Sequence, residues 1–210
     1  MKKCVIFAAA PIQDLSYIKV DNDAFVICAD AGIRHAKALN IEPDLVLGDF
    51  DSCDKSESDG YARVTFPSRK DDTDLMLAIK YGIESGCDDF TIYGALGERL
   101  DHTFASFSAL GYLLDNGKTA RLIDQKTTVS LLGVGEHRIK NTGRYLSLFP
   151  FGCDFAEVSL SGTAYDGDAL LTSSFPLGVS NEIAKDEAVI TVKQSEGESR
   201  VLVIESKKDH

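Results

Sequence analysis

Acidic residues recur in this sequence directly after short apolar runs. Asp49 and Asp51 lie in the stretch GDFDS, which follows Leu45-Val46-Leu47, and Asp30 follows the run FVICA. If these runs are parallel strands, their carboxyl ends meet at one edge of a sheet, where ligands bind. Carboxylates that converge there repel one another unless a cation such as Mg²⁺ neutralises them, together with substrate phosphates and water. Metal-assisted phosphoryl transfer is the chemistry that this pattern indicates.

Two further charged stretches precede helical patterns, and we expect them at the same edge. KDDTD contains Asp72 and Asp74, and GERLDH contains Arg99, Asp101 and His102. The two glycines of the preceding GALG would let backbone N–H groups approach a phosphate. The sequence contains no GxxxxGK[ST] phosphate-binding motif. It also contains no GxSxG nucleophile elbow and no cysteine with a persuasive His partner, which disfavours covalent catalysis.

Each acidic stretch also has an ordinary structural interpretation when it is considered alone. GDFDS is compatible with a turn, DDTD with a helix N-terminus that acids stabilise, and RLDH with a surface ion pair. His102 is equally compatible with a helix-start position, because its place beside Asp101 does not establish a dyad. The coincidence of all these stretches at one predicted edge favours the metal site.

The elements that would position these residues alternate between strand and helix up to about residue 125. A helix is predicted from Thr73 to near Gly86 and a second from Arg99 to before Asn116. The strand pattern predicts a parallel sheet with helices on its faces, an α/β domain over residues 1–125. The predicted strands are residues 4–8, 25–29, 45–47, 90–93 and 121–123, and the predicted buried face of the second helix is Leu100, Phe104, Phe107, Leu110 (or Gly111) and Leu114.

After residue 125 only strand-like segments remain, which predicts an all-β domain over residues 126–210, a sandwich or a barrel. Residues 195–199 are predicted to form the hairpin loop between the last two strands. The irregular stretch LLTSSFPLGVSNEI interrupts the domain, and long loops in compact domains tend to be functional. The predicted strands begin near residues 129, 144, 156, 188 and 200.

Composition narrows the class of protein. The 210 residues carry a formal charge of -11, which disfavours a nucleic-acid binder because such affinity depends on Lys and Arg. The five cysteines are odd in number and never spaced as CxxC, which indicates reduced thiols in a cytoplasmic protein. No apolar run approaches the about 20 residues that a membrane helix needs, and the apolar N-terminal run is better interpreted as a first strand than as a signal peptide.

Taken together, the motifs resemble the thiamine pyrophosphokinase family. The matching stretches occur in the family's order and span most of the chain: ADAG (29–32), PDLVLGDFDS (43–52), KDDTDLMLA (70–78), GALGERLDHTFA (94–105), LID (122–124) and LGVSNEI (177–183). The resemblance implies transfer of a pyrophosphoryl group from ATP to the hydroxyl of thiamine. It also implies a Rossmann-like α/β domain followed by a C-terminal β-sandwich, in a homodimer with active sites between subunits.

The resemblance also assigns roles to residues. Asp49, Asp51 and Asp74 would hold Mg²⁺, with Asp72 as a further ligand. Arg99 and Asp101 would organise the phosphates and the reacting hydroxyl, and Asp30 and His102 are further candidates for binding ATP–Mg²⁺. Ser180 and Asn181 would contact thiamine. Phe175 is placed where an aromatic ring could stack on it, and is equally compatible with a place in the core. The chain has no Trp.

Two other functions use the same residues. One is another Mg²⁺-dependent small-molecule kinase or a phosphohydrolase, which would use the aspartates on a different acceptor. The other is a non-catalytic sensor of thiamine or of a nucleotide. The products formed from ATP and thiamine separate these functions.

Overall fold

The chain folds into two compact units, Met1–Gln125 and Lys126–His210. The computed structural model describes residues 1–48, 61–65, 72–97, 99–194 and 199–208, and only the backbone of Arg63 and Thr65. Asp49 and Asp51, two of the predicted metal ligands, lie outside the described residues. Parallel and antiparallel sheets with few helices make up the fold.

The first unit is built on a parallel sheet. Its strands are β1 (Lys3–Phe7), β2 (Phe25–Ala29), β3 (Leu45–Gly48), β4 (Arg63–Thr65), β5 (Asp89–Tyr93) and β6 (Thr119–Ile123). Parallel pairing arranges them in the order β4-β3-β2-β1-β5-β6. Five of these strands coincide with the predicted apolar runs, and the short β4 was not predicted.

Within the described part of the first unit, three α-helices accompany this sheet: α1 (Ile33–Ala38), α2 (Asp74–Glu84) and α3 (Leu100–Asp115). The prediction of a cap at Thr73 is confirmed, because its side chain accepts a hydrogen bond of 3.2 Å from the backbone N–H of Met76. The helix ends before Gly86, which adopts a φ of 80°. Among the described residues, no helix has the length and apolar character needed to cross a membrane.

Both faces of the parallel sheet are covered, which explains why its strands are almost continuously apolar. On one face Val5 and Phe7 share a core with Ile33 of α1. The loop between β1 and β2 adds Ile12, Tyr17, Ile18 and Val20 to that core, in place of a crossover helix. On the other face α2 approaches so closely that a Cβ atom at Gly82 would lie 2.6 Å from the Phe90 ring.

The predicted buried face of α3 is wrong at its first turns. Leu100 and Phe104 are 79% and 64% exposed, whereas Ser106, Ala109, Leu110, Gly111 and Leu113 are buried. The buried face is formed largely by small residues, which let the helix pack closely. Because the prediction relied on large apolar side chains, it assigned the wrong side of the first two turns of α3 to the buried face.

The described strands of the second unit form two antiparallel sets of four. One has the order β12-β9-β14-β7 and the other β11-β10-β13-β8. Leu148 and Val203 of the first sheet and Val158 and Ile190 of the second share one core. The strands are β7 (Thr127–Leu132), β8 (Gly135–Lys140), β9 (Tyr145–Pro150), β10 (Phe155–Ser161), β11 (Gly167–Thr172), β12 (Asn181–Glu182), β13 (Glu187–Val192) and β14 (Val201–Ser206).

The predicted hairpin between the last two strands is wrong. β13 pairs with β10 and β8, whereas β14 pairs with β7 and β9, so the connection crosses from one sheet to the other. The crossing lets each strand add an apolar face to the shared core, and a short polar loop looks the same in sequence in either case.

Candidate active site

The parallel sheet has a switch point, where the loops that follow two neighbouring strands lead toward opposite sides of the sheet. β1 pairs in parallel with β2 on one side and with β5 on the other, so β2, β3 and β4 extend the sheet to one side of β1, and β5 and β6 extend it to the other. Ligands of open α/β sheets bind at the carboxyl ends of the strands beside such a switch point. The loops that leave it are residues 8–11 after β1 and 94–97 after β5.

These two loops are held together by their backbones. The N–H of Ala8 donates to the carbonyl of Tyr93 (2.8 Å), and the N–H of Ala10 donates to the carbonyl of Gly94 (2.9 Å). Gly94 has a φ of 69°, and a Cβ atom there would lie 2.5 Å from the Ala8 carbonyl oxygen. A glycine is required at this position for both reasons.

The loop after β5 is fastened to the beginning of α3. The single proton of the Ser106 hydroxyl is shared between the carbonyls of Ala95 (3.0 Å) and His102 (2.9 Å), and the Thr103 hydroxyl exchanges hydrogen bonds of 3.3 Å with the N–H and carbonyl of Gly97. Arg99 therefore lies between two fixed points, at the N-cap position of α3. These contacts position the predicted phosphate-binding residue beside the switch point.

Arg99 and Asp101 form a bidentate pair. Nη2 of Arg99 donates to Oδ2 of Asp101 (2.6 Å), and Nε donates to Oδ1 (3.3 Å). This hydrogen bonding from Arg99 lowers the pKa of Asp101 below its ordinary value. Both side chains are about two-thirds exposed, so the pair contributes little to stability and chiefly orients the guanidinium group. His102 follows in the first turn, exposed.

Among the described residues of the first unit, Asp30 is the most deeply buried of the predicted site residues. It is 8% exposed, directly follows β2 and has a φ of 49°, a conformation that costs energy in a residue other than glycine. The end of β3 lies against it, because a Cβ atom at Gly48 would be 3.2 Å from the Asp30 Cα. The chain thus approaches Asp30 immediately before Asp49.

Asp72 and Asp74 differ in their surroundings at the beginning of α2. Asp74 lies in the first turn of the helix. Asp72 precedes the Thr73 cap and pairs with Nζ of Lys80 two turns along the helix (2.7 Å), and this hydrogen bond raises the pKa of Lys80. A cation at this edge would compete with Lys80 for Asp72.

The described part of the chain contains no group of three or more His, Cys, Asp or Glu side chains placed to hold a metal ion. Asp49 and Asp51 are not in that part. Asp30, Asp72 and Asp74 offer only carboxylate oxygens, the ligands that hard cations such as Mg²⁺ prefer. The chemistry of the donor set therefore fits Mg²⁺.

In the second unit, Ser180 and Asn181 occupy a strained and tightly bonded segment. Ser180 has a φ of 59°, and its N–H donates to the hydroxyl of the buried Ser147 (3.0 Å). The buried Asn181 accepts from the N–H of Tyr165 (3.1 Å) and donates to the Tyr165 carbonyl (3.2 Å). Strain of this kind concentrates at functional sites. The side-chain amide of Asn181 therefore uses both its oxygen and its nitrogen to hydrogen-bond the backbone of the neighbouring loop.

That loop presents an aromatic residue that sequence reasoning missed. Tyr165 is 76% exposed although its backbone is held by Asn181, and Asp166 closes the turn by accepting from the N–H of Thr163 (2.7 Å). Phe175, the predicted aromatic, is 65% exposed and lies on the segment leading to Ser180. The sequence pattern that could have indicated Tyr165 was an aromatic residue between two glycines, in SGTAYDG.

Comparison with known proteins tests the resemblance directly. Residues 18–122 match the family described as "Thiamin pyrophosphokinase, catalytic domain", and residues 136–197 match "Thiamin pyrophosphokinase, vitamin B1 binding domain". The chain belongs to the thiamin pyrophosphokinase family. A member of this family, the thiamine pyrophosphokinase of Bacillus subtilis (strain 168), is 30% identical over 194 residues, which cover 87% of this chain and 90% of that protein.

Solved structures of the family have the same fold. The crystal structure of thiamine pyrophosphokinase from Bacillus subtilis superposes with a TM-score of 0.88 at 26% identity, covering 99% of this chain and 100% of that one. The enzyme from Geobacillus thermodenitrificans superposes with a TM-score of 0.85 at 21% identity, covering 100% and 99%. Both superpositions cover 99% or more of this chain, so the likeness in fold extends over both units.

Proposed function

We propose that this chain transfers the pyrophosphoryl group of ATP to the hydroxyl of thiamine, giving thiamine diphosphate and AMP. The observation that carries the proposal is the match of two thiamin pyrophosphokinase domains, in order, to residues 18–122 and 136–197. The test is product analysis with ATP, Mg²⁺ and thiamine. AMP with thiamine diphosphate supports the proposal, whereas ADP or free phosphate indicates another kinase or a phosphohydrolase. Thiamine binding without turnover indicates a sensor.

ATP binds, in this proposal, at the switch point of a Rossmann-like first unit. The support is the strand order, the paired loops after β1 and β5, and the glycine at position 94 that the close approach requires. Asp30 and His102 lie on segments that follow carboxyl ends of this sheet, and we assign them to the ATP–Mg²⁺ complex. Thiamine is a cation and the chain carries a charge of -11, so the electrostatics agree.

The acidic residues and Arg99 have different roles toward the phosphates of ATP in this proposal. Asp49, Asp51 and Asp74, with Asp72 as a further ligand, would hold Mg²⁺, which supplies neutralisation of phosphate charge when bound. Arg99 donates hydrogen bonds to phosphate oxygens as negative charge shifts during the transfer. Asp101 keeps the guanidinium in place. Because its pKa is lowered it is a weak base, which suits a loose transition state that needs no strong one.

Thiamine binds, in this proposal, to the second unit, which we describe as a β-sandwich. Ser180 and Asn181 form the frame of the site, and Tyr165 and Phe175 supply exposed aromatic rings for a chain that has no Trp. Asn181 hydrogen-bonds both the N–H and the carbonyl of Tyr165, which ties Tyr165 to a residue that we propose to be part of the thiamine site. A cationic heteroaromatic ligand gains from contact with such a ring.

Replacing Tyr165 with alanine is expected to raise the KM for thiamine by about tenfold, the scale of one cation–π contact with a desolvated ligand. The KM for ATP should stay the same. Steady-state kinetics with each substrate varied measures both values. Tyr165→Phe is the matched control, because it keeps the ring and should keep the thiamine KM within about twofold. An unchanged thiamine KM in Tyr165→Ala would assign the stacking to another residue.

A homodimer with active sites shared between subunits is also part of the proposal. Leu100 and Phe104 are exposed on the first turns of α3, next to Arg99 and Asp101. Large apolar side chains exposed beside a site are typical of an interaction surface. A second copy of the chain is the partner that the family resemblance implies.

Replacing Leu100 and Phe104 together with glutamate is expected to convert the dimer to a monomer and to abolish most of the activity. Light scattering coupled to size-exclusion chromatography measures the mass. Leu170→Glu, at an exposed position on β11, is the control and should stay dimeric. A wild-type chain that is strictly monomeric and fully active would exclude a shared site.

The cytoplasm is the compartment that we propose for this enzyme. Its support is the chemistry of the thiols: the described cysteines Cys4, Cys28, Cys87 and Cys153 are free. Burial raises the pKa of Cys28 to about 12, so its thiol stays protonated and unreactive. The buried Cys4, Cys28 and Cys87 therefore act as small apolar residues.

A further inference from the structure

A buried histidine links α1 to the loop that follows β1. His35 is 9% exposed, and its Nε2 lies 3.0 Å from the carbonyl oxygen of Ala10, 25 residues earlier in the chain. A carbonyl oxygen only accepts hydrogen bonds, so Nε2 carries the proton and donates. None of the roles assigned above uses this residue.

The carbonyl that His35 holds belongs to the loop at the switch point. The N–H of the same residue, Ala10, donates to the carbonyl of Gly94 (2.9 Å), so Ala10 is held from both sides. A Cβ atom at Gly97 would lie 3.1 Å from the Cβ of Ala10, which shows how closely the two loops approach. A shift of Ala10 would therefore displace the loop that leads to Arg99.

The imidazole of His35 has a protonation state that lets it donate one hydrogen bond to Ala10. Burial is the largest influence on its pKa and lowers it, and the neighbouring Arg34 acts in the same direction, against the hydrogen bond to Ala10. The imidazole is therefore neutral near pH 7, with a single N–H directed at Ala10. Because it is buried in α1, it acts through Ala10 and not by contact with a substrate.

We propose that His35 is a positioning residue of the nucleotide site: its Nε2–H fixes the Ala10 carbonyl and thereby sets the spacing between the loops after β1 and β5. This inference rests on the proposed binding of ATP at the switch point. Removal of the donor weakens ATP binding and leaves thiamine binding unchanged, because the thiamine residues lie in the second unit.

The test compares two variants of similar size. His35→Leu removes the donor, and His35→Gln places an amide N–H near the position of Nε2. We expect His35→Leu to raise the KM for ATP, and the Kd for α,β-methylene ATP with Mg²⁺, by about three- to tenfold, the range for loss of one hydrogen bond. The thiamine KM and kcat should change less than about twofold, and His35→Gln should restore ATP affinity.

A second histidine supplies the control. Nε2 of His137 in the second unit also lies against a loop carbonyl, that of Gly133 (2.8 Å). His137→Leu should leave the Kd for α,β-methylene ATP unchanged. If His35→Leu does not fold, His35→Asn replaces it, because the shorter amide does not reach Ala10.

The outcomes separate the inference from the proposed function. Unchanged analogue binding in His35→Leu would overturn the inference. So would equal losses in His35→Leu and His35→Gln with a matching fall in melting temperature, which would show a merely structural role. If the wild-type chain binds the analogue but makes no thiamine diphosphate, the proposed function fails while the analogue Kd still tests His35.

Discussion

Replacing Asp74 with asparagine is expected to lower kcat/KM for thiamine diphosphate formation by about two orders of magnitude or more. A bound cation contributes several kcal/mol of charge stabilisation in the transition state, and each ~1.4 kcal/mol is a factor of ten. Asparagine keeps the shape of the side chain and removes the charge. The helix itself should survive, because Thr73 supplies the cap that begins α2.

Two comparisons make the Asp74 result specific. Glu84→Gln removes a carboxylate from the other end of the same helix and should leave activity unchanged. Asp72→Asn should have a smaller effect than Asp74→Asn, because we propose Asp72 only as a further ligand, for which the cation competes with Lys80. Mg²⁺ dependence of the rate and circular dichroism distinguish loss of the metal from loss of the fold. An Asp74→Asn enzyme with normal Mg²⁺ dependence would remove Asp74 from the site.

Replacing Arg99 with glutamine is expected to lower kcat by about a hundred- to a thousandfold, the cost of removing one donor aimed at transition-state charge. The melting temperature should stay the same, because the Arg99–Asp101 pair is exposed and contributes little to stability. Steady-state kinetics and thermal unfolding on the same preparation measure the two quantities. A loss of stability equal to the loss of activity would contradict a role on the phosphates.

Arg138 provides the matched control for Arg99. It too is exposed and pairs with a carboxylate two residues away, Glu136 (2.9 Å), and also with Glu187 (2.6 Å). Arg138→Gln breaks the same kind of pair in the second unit, and kcat should not change. If both arginine variants lose activity to the same extent, a general charge effect and not the position of Arg99 is responsible.

The strands and helices of the first unit could be predicted where one side-chain pattern decides the structure. Strands buried on both faces are apolar throughout, and the Thr73 cap marks the beginning of α2. The six-residue α1 was not predicted, since its length is too short for a helical period. The sequence also did not predict that residues 12–20 cover part of one face of the parallel sheet, because that depends on which part of the sheet the helices leave uncovered.

In the second unit, sequence patterns failed where strands are half-exposed or cross between sheets. The strand β8 alternates half-buried and exposed residues over GEHRIK, and its charged residues resemble a loop. The connection from β13 to β14 is only residues 193–200, although the strands belong to different sheets. Local sequence does not encode which partner a strand will pair with.

The predicted site residues also differ in whether their contacts are local in sequence or join distant segments. Arg99 and Asp101 are close in sequence, so their pairing could be expected from spacing alone. The contacts of Asn181 with Tyr165 and of His35 with Ala10 join distant segments, and only the fold brings them together. These long-range contacts hold loops in place, and they identify positioning residues that a motif search does not select.

The central claim is that both terminal phosphates of ATP move together to thiamine, and ATP labelled at the β-phosphate tests it most directly. The intact chain is incubated with labelled ATP, Mg²⁺ and thiamine, and the products are separated. We predict that the label appears in thiamine diphosphate, with one unlabelled AMP formed for each. Label retained in ADP, or found only in free phosphate or pyrophosphate, would contradict pyrophosphoryl transfer.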